Sequence, residues 1–344
     1  MADSNNIAFP GVEWSPAPPE ELDLDPLALD DLTRWLDDRR ADRPYRLLVV
    51  RRGRLALELN RGIAAETRRN LASAAKSVYS CVLGIAIAEG KLPSADARVI
   101  DYYPEMMDVP EGTGPKPGRH AFPKDADITF RQLISNTSGY MKPGEPPGTV
   151  FHYQTFGMNI LTHALGALYG VYDTADPEGS PGFGALIDRA IKAPIGGSWS
   201  YTTTNFDHGS EARTAIFGNY CQMQITARDM ARLGLLWLAN GRWGDAQVVP
   251  EGWLREATHV APVIVAHCAP EDWAYGYGFW SNEYSLLWPE LPAESFAASG
   301  AGQQLLWVCP AKELVVVQGP GIYSDMKDDD CRHVLRTVYE AARD

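Results

Sequence analysis

The chain has no apolar run near the ~18 residues that cross a bilayer. Its first residues, Met1-Ala2-Asp3-Ser4-Asn5-Asn6, carry neither the basic nor the apolar part of a secretory leader. A soluble, cytoplasmic protein is therefore expected. The five cysteines, Cys81, Cys221, Cys268, Cys309 and Cys331, are odd in number and scattered, and none forms a Cys-x-x-Cys pair. That argues against a disulfide framework and against a structural zinc site. Positive charge is also short: 31 Lys and Arg stand against 44 Asp and Glu, a net charge of −13. Nucleic acid and anionic membranes, which need clusters of basic residues, are disfavoured as partners. There is no Gly-x-Ser-x-Gly elbow, no His-Glu-x-x-His and no Walker A sequence. None of the seven histidines, His120, His152, His163, His208, His259, His267 and His333, falls in a metal or triad spacing, so each reads as a surface or packing residue. No metal or organic cofactor is expected.

What remains is an ordinary globular composition, 45% hydrophobic and 22% charged over 344 residues. That length allows one large domain or two interleaved ones. The most informative segment is Ser73-Ala74-Ala75-Lys76, which opens an apolar run from Val78 to Ala88 that ends at Gly90. Residues three apart share a helix face, so Lys76 is placed beside the Ser73 hydroxyl. The spacing predicts a buried helix with Asn70 as N-cap and Gly90 just past its end. A serine needs a base to become a nucleophile, and a lysine serves only if burial or a nearby cation lowers its pKa. A second copy, Ser324-Asp325-Met326-Lys327, runs into Asp328-Asp329-Asp330 and reads as the start of a surface helix.

Residues 7–26 read as an extended surface arm rich in proline and acidic residues, and Leu27 to Leu36 as an amphipathic helix. Leu47 to Val50 and Leu55 to Leu59 read as strands joined at Arg52-Gly53-Arg54. Short helices are predicted at Ile128 to Ile134, Asn159 to Leu168 and Thr226 to Leu238, with a surface loop at Asp173 to Gly184. Strand character returns at Tyr275 to Trp280, Gln304 to Val308 and Leu314 to Gln318, and Cys331 to Ala342 closes as a helix. The expected fold is α/β (α+β): an antiparallel sheet flanked by helices and built from both chain ends, with a mostly helical domain inserted. Residues 1–80 and 235–344 would form the sheet domain and 81–234 the helical one, with the site in the cleft between them.

Three further segments follow the first in order. They are Ser135-Asn136-Thr137-Ser138-Gly139, then Pro147-Gly148-Thr149-Val150-Phe151-His152-Tyr153-Gln154-Thr155 before a helix, then Ala298-Ser299-Gly300-Ala301-Gly302-Gln303 before a strand. Together, from about Leu47 to Val317, they make the chain resemble the serine β-lactamase and penicillin-binding-protein superfamily. The likeness is to its class C-type branch, with esterases and 6-aminohexanoate-oligomer hydrolases. The resemblance implies that Ser73 is the acyl-accepting nucleophile, Lys76 its partner and Tyr153 the proton-exchanging tyrosine. It implies an oxyanion hole from the N–H groups of Ser73 and Ala301, and substrate contacts from Thr155, Ala298, Ser299 and Gly300. A Lys76 ammonium beside Tyr153 would lower the phenol's pKa; either group could hold the proton at rest.

Two departures bear on the substrate. Thr155 stands where the family has an asparagine amide, and Ala298 where it has a Lys or His that holds a substrate carboxylate. Asn136 replaces a usual histidine in what is read as a structural turn. The expectation is a serine hydrolase acting on small amides or esters through an acyl-enzyme. The alternatives are an acyltransferase on the same scaffold, a β-lactamase or D-Ala-D-Ala peptidase, and a non-catalytic ligand-binding or sensor protein. Lys142 or Arg213 is the candidate cation to compensate for Ala298. Tyr140, Phe156, Trp199, Trp273 and Trp288 are loop aromatics that either line a pocket or pack.

Overall fold

A computed structural model describes residues 7–176, 179–202 and 221–343. Arg213 and His208 lie outside the described residues. The strands run in chain order as β1 Tyr45–Arg51, β2 Arg54–Arg61, β3 Arg69–Asn70, β4 Ser200–Thr202, β5 Gln222–Ile225, β6 Arg242–Trp243, β7 Ala246–Gln247, β8 Trp280–Ser281, β9 Phe296–Gly300, β10 Gln304–Cys309 and β11 Leu314–Gln318. Six of them form one antiparallel sheet in the order β2-β1-β11-β10-β9-β8. The expected sheet built from both chain ends is therefore present, with its two ends joined at β1 and β11, where Val49 faces Val316. Both central strands are buried along their whole length. Their β-branched and leucine side chains can therefore fill two cores at once.

On one face, Leu29, Leu32 and Leu36 of helix α1 (Pro26–Arg39) join Val334, Leu335 and Val338 of the Asp329–Ala341 helix over Leu47, Val49 and Val316. On the other face lie the Ala227–Leu238 helix and helix α2 (Ala75–Ala88), over Leu48, Val50, Val315 and Val317. Helix α2 is buried nearly all round, as its apolar sequence requires. Around it pack helix α3 (Phe130–Ile134) and helix α4 (Phe156–Leu168). Helix α3, at the expected place, opens with Thr129, whose hydroxyl accepts from Gln132 N while Gln132 Oε1 accepts from Thr129 N.

Several expectations need correction. The division at 80/81 cuts α2, and the one at 234/235 cuts the Ala227–Leu238 helix, which packs on the sheet and so belongs with it. Strand pairing near Tyr275 to Trp280 shrinks to Trp280–Ser281 plus a single bridge between Tyr275 and Trp280. Ser324 to Lys327 is a turn ahead of the last helix, whose N-cap is Asp328, accepting from Cys331 N at 2.8 Å. No helix among the described residues is long and apolar enough to cross a membrane.

Candidate active site

Ser73 does not sit in α2 itself. Asn70 belongs to β3 and its Oδ1 accepts from Ala72 N at 2.8 Å, while Leu71 N donates to Met223 O of β5. The chain then takes a 3-10 turn over Ala72–Ala74 before the α-helix begins at Ala75. Ala72 holds a φ of 50°, a left-handed value that costs a non-glycine residue about 1–3 kcal/mol. The strained residue is the one immediately before Ser73. Lys76, in the first turn of α2, donates from Nζ to Ser73 Oγ at 2.7 Å. It has no exposed surface. Burial lowers its pKa to about 7, so the neutral amine is present at physiological pH.

Tyr153 shares a hydrogen bond with Ser73, and Lys76 Nζ lies 4.6 Å from its ring centre. Burial nevertheless raises the phenol's pKa, outweighing that hydrogen bond. This corrects the expected depression by a lysine ammonium: the resting phenol keeps its proton and Lys76 is the weaker holder. The Tyr153 ring stacks on Trp280 (5.6 Å between centroids) and meets the edge of Tyr275 (5.7 Å). Neither neighbour was singled out as a site residue, because contacts across 120 residues leave no local signal. The backbone on both sides of Tyr153 is tied to the Ser135–Gly139 turn, since His152 N donates to Asn136 O at 2.9 Å and Gln154 N to Asn136 Oδ1 at 3.0 Å.

The third segment reaches the Ser73 turn by close backbone approach. A Cβ on Gly300 would fall 2.3 Å from Leu71 O, 2.9 Å from Ala74 N and 3.1 Å from Ser73 N. Only glycine fits there. Ala301, the next residue and exposed, stands in the turn between β9 and β10, so its N–H is one residue from this contact. Strand alternation sorts its neighbours. Ala298 and Gly300 face the Ser73 side, and Ser299 faces the opposite core, where its hydroxyl lies beside that of Tyr323. The Ser299 side chain thus faces away from Ser73. Ala298 is buried against the core at 1% exposure, so its side chain offers a ligand no surface. Thr155 is half-buried at the start of α4 and makes no side-chain cap bond.

The other candidates separate in the same way. Lys142 is buried and paired with Glu145 at 3.0 Å, and His152 Nδ1 lies 3.1 Å from the same carboxylate oxygen. That tie removes Lys142 as a free cation for substrate. Tyr140, Trp199 and Trp288 are core residues, while Phe156 and Trp273 are half-buried. No cluster of metal-ligating side chains occurs among the described residues, and all five cysteines are unpaired.

The β-lactamase family model matches residues 41–318. A 6-aminohexanoate-dimer hydrolase from Paenarthrobacter ureafaciens is 26% identical over 346 residues, spanning 92% of this chain and 82% of the relative. Two solved structures share the fold. One is a penicillin-binding protein homolog from Caulobacter crescentus, with TM-score 0.67, 16% identity, and 92% of this chain and 98% of that chain covered. The other is simvastatin synthase from Aspergillus terreus, with TM-score 0.63, 14% identity, and 92% and 97% covered. With the family model spanning both the Ser73 turn and the Gly300 strand, this chain belongs to the β-lactamase family and is a serine hydrolase.

Proposed function

We propose that the enzyme cleaves small esters or linear amides through a covalent acyl-Ser73 intermediate. The observation that carries this reading is the buried Lys76 amine, 2.7 Å from Ser73 Oγ with its pKa brought to about 7. A neutral amine there takes the serine proton as Oγ attacks the carbonyl carbon. The N–H groups of Ser73 and Ala301 receive the negative charge that develops on the carbonyl oxygen. Tyr153 gives its proton to the leaving alcohol or amine and regains one from the Lys76 ammonium. Water then gives a proton to Lys76, attacks the acyl carbon and releases Ser73, whose Oγ takes the proton back.

The substrate class rests on charge. A carboxylate taken from water needs a cation or several hydrogen bonds. Ala298 supplies none, and Lys142 is committed to Glu145. On this ground esters and linear amides fit better than penicillins. Five unpaired thiols suit the reducing cytoplasm.

The test is intact-mass analysis after a fluorophosphonate probe, followed by rates on a short-chain nitrophenyl ester, a linear amide and benzylpenicillin. One adduct is expected on the wild type and none on Ser73→Ala, whose turnover falls at least about 10³-fold. An adduct on Ser73→Ala, or a tenth of the wild-type rate, refutes the mechanism. The highest kcat/KM on benzylpenicillin refutes the charge argument. Adding a short alcohol separates hydrolysis from acyl transfer by the ratio of acid to new ester.

A further inference from the structure

We infer that Asn136 is a positioning residue that sets where the Tyr153 hydroxyl stands, and through it the proton given to the leaving group. The inference rests on the reading that Tyr153 moves protons. Two amides flank Tyr153 in the chain, and both end on this one residue. His152 N reaches Asn136 O and Gln154 N reaches Asn136 Oδ1. Asn136 is 1% exposed, so water does not compete for either bond.

Its backbone φ is 58°, a left-handed conformation that asparagine, aspartate and glycine adopt most readily. The turn is held from behind by Asn136 N on Leu133 O and Thr137 N on Gln132 O, which anchor it to α3. It is held from the front by Gly148 N on Thr137 O at 2.7 Å and Gln154 Nε2 on Ser138 Oγ at 3.3 Å. The loop that carries Tyr153 is therefore referenced to α3 through this turn, and immediately on both sides of Tyr153 through Asn136. The tyrosine hydroxyl lies at the end of a rigid ring, so a backbone shift is passed to it undiminished. Misplacement of a reacting group by about 1 Å costs up to about 10²-fold in rate.

The chemistry offers a readout that loss of stability does not mimic. An alkyl alcohol must be protonated as it leaves, whereas nitrophenolate leaves without a proton. Asn136→Gly keeps the positive φ and the His152 bond and removes only the side-chain acceptor for Gln154 N. On two esters with the same acyl group, Asn136→Gly should lower kcat/KM for the ethyl ester about tenfold, and for the nitrophenyl ester less than about threefold. Tyr153→Phe should show the same selectivity more strongly, and the double variant should be no worse than Tyr153→Phe alone.

Asn136→Asp keeps both the acceptor and the backbone preference; its buried carboxylate costs stability and lowers both rates together, so the readout is the ethyl-to-nitrophenyl ratio, which should stay within about threefold of wild type. This variant carries the test if Asn136→Gly does not fold. Equal losses on both esters, additive effects in the double variant, or a collapsed ratio in Asn136→Asp would overturn the inference. A Tyr153→Phe protein without leaving-group selectivity would instead overturn the role of Tyr153 itself.

Discussion

Lys76 has no exposed surface, so folding takes its amine out of water and disfavours the ammonium form. In the catalytic reading only the neutral amine accepts the serine proton. The value of kcat/KM should therefore rise about tenfold per pH unit below about 7 and level above it. A pH–rate profile flat from pH 5 to 9 would contradict this. The same burial acts on stability. Between about 7 and the ordinary lysine value near 10.4, the unfolded chain binds a proton that the folded chain does not, so stability rises with pH across that window. Lys76→Met removes the group from both states. It should be inactive yet more stable at pH 7, by on the order of 1–4 kcal/mol, with the gain shrinking as pH approaches 10. Urea titrations at pH 7 and 9.5 measure both effects. The Ser73–Lys76 pairing was legible because three-residue spacing is local. The direction of Tyr153's shift was not, because it depends on how much of the ring is removed from water by Trp280 and Tyr275, which are distant in sequence.

Strand β9 shows how an element aims residues by parity. Gly300→Ala should force the strand off the Ser73 turn, since all three atoms within 3.1 Å of the added methyl are backbone. A kcat loss of about 10²-fold is expected, whereas Ser299→Ala, on the opposite face, should keep kcat within about threefold. Measuring kcat for the two variants side by side checks the assignment, and equal losses would refute it. The strands at 47–50, 304–308 and 314–318 were readable as short apolar, β-branched runs. Which face each residue takes was not, because parity gains meaning only once a partner strand fixes the register. Ser299 opposite Leu305 and Ala298 opposite Leu306 settle it. The helix at Ser73 was expected to begin at Asn70. It starts later because Asn70 pairs with Gln224 in a small sheet, and the following turn needs a positive φ that sequence does not advertise.

Across the molecule, the segment that carries Tyr275 and Trp280 is braced from a distance by Arg131 of α3. Its guanidinium reaches Asp96 at 2.7 Å, Glu256 at 2.5 Å and the Tyr277 hydroxyl at 2.6 Å. Both carboxylates are well exposed, which weakens the pairing through solvent screening. Arg131→Leu should therefore cost only about 1–2 kcal/mol, read as a lower urea midpoint. A loss above about 4 kcal/mol would mean that the brace does more than join two segments. The pairing of β1 with β11 has a consequence for synthesis. At about 5–20 residues per second, roughly 10–50 s pass between the emergence of Ser73 and that of the last sheet strand. During that interval Ser73 has been made, but β9, which lies against its turn, is either not yet made or without β10 and β11 beside it. In the catalytic reading of Ser73, a nascent chain on the ribosome therefore carries an unarmed serine until the final strands close the sheet.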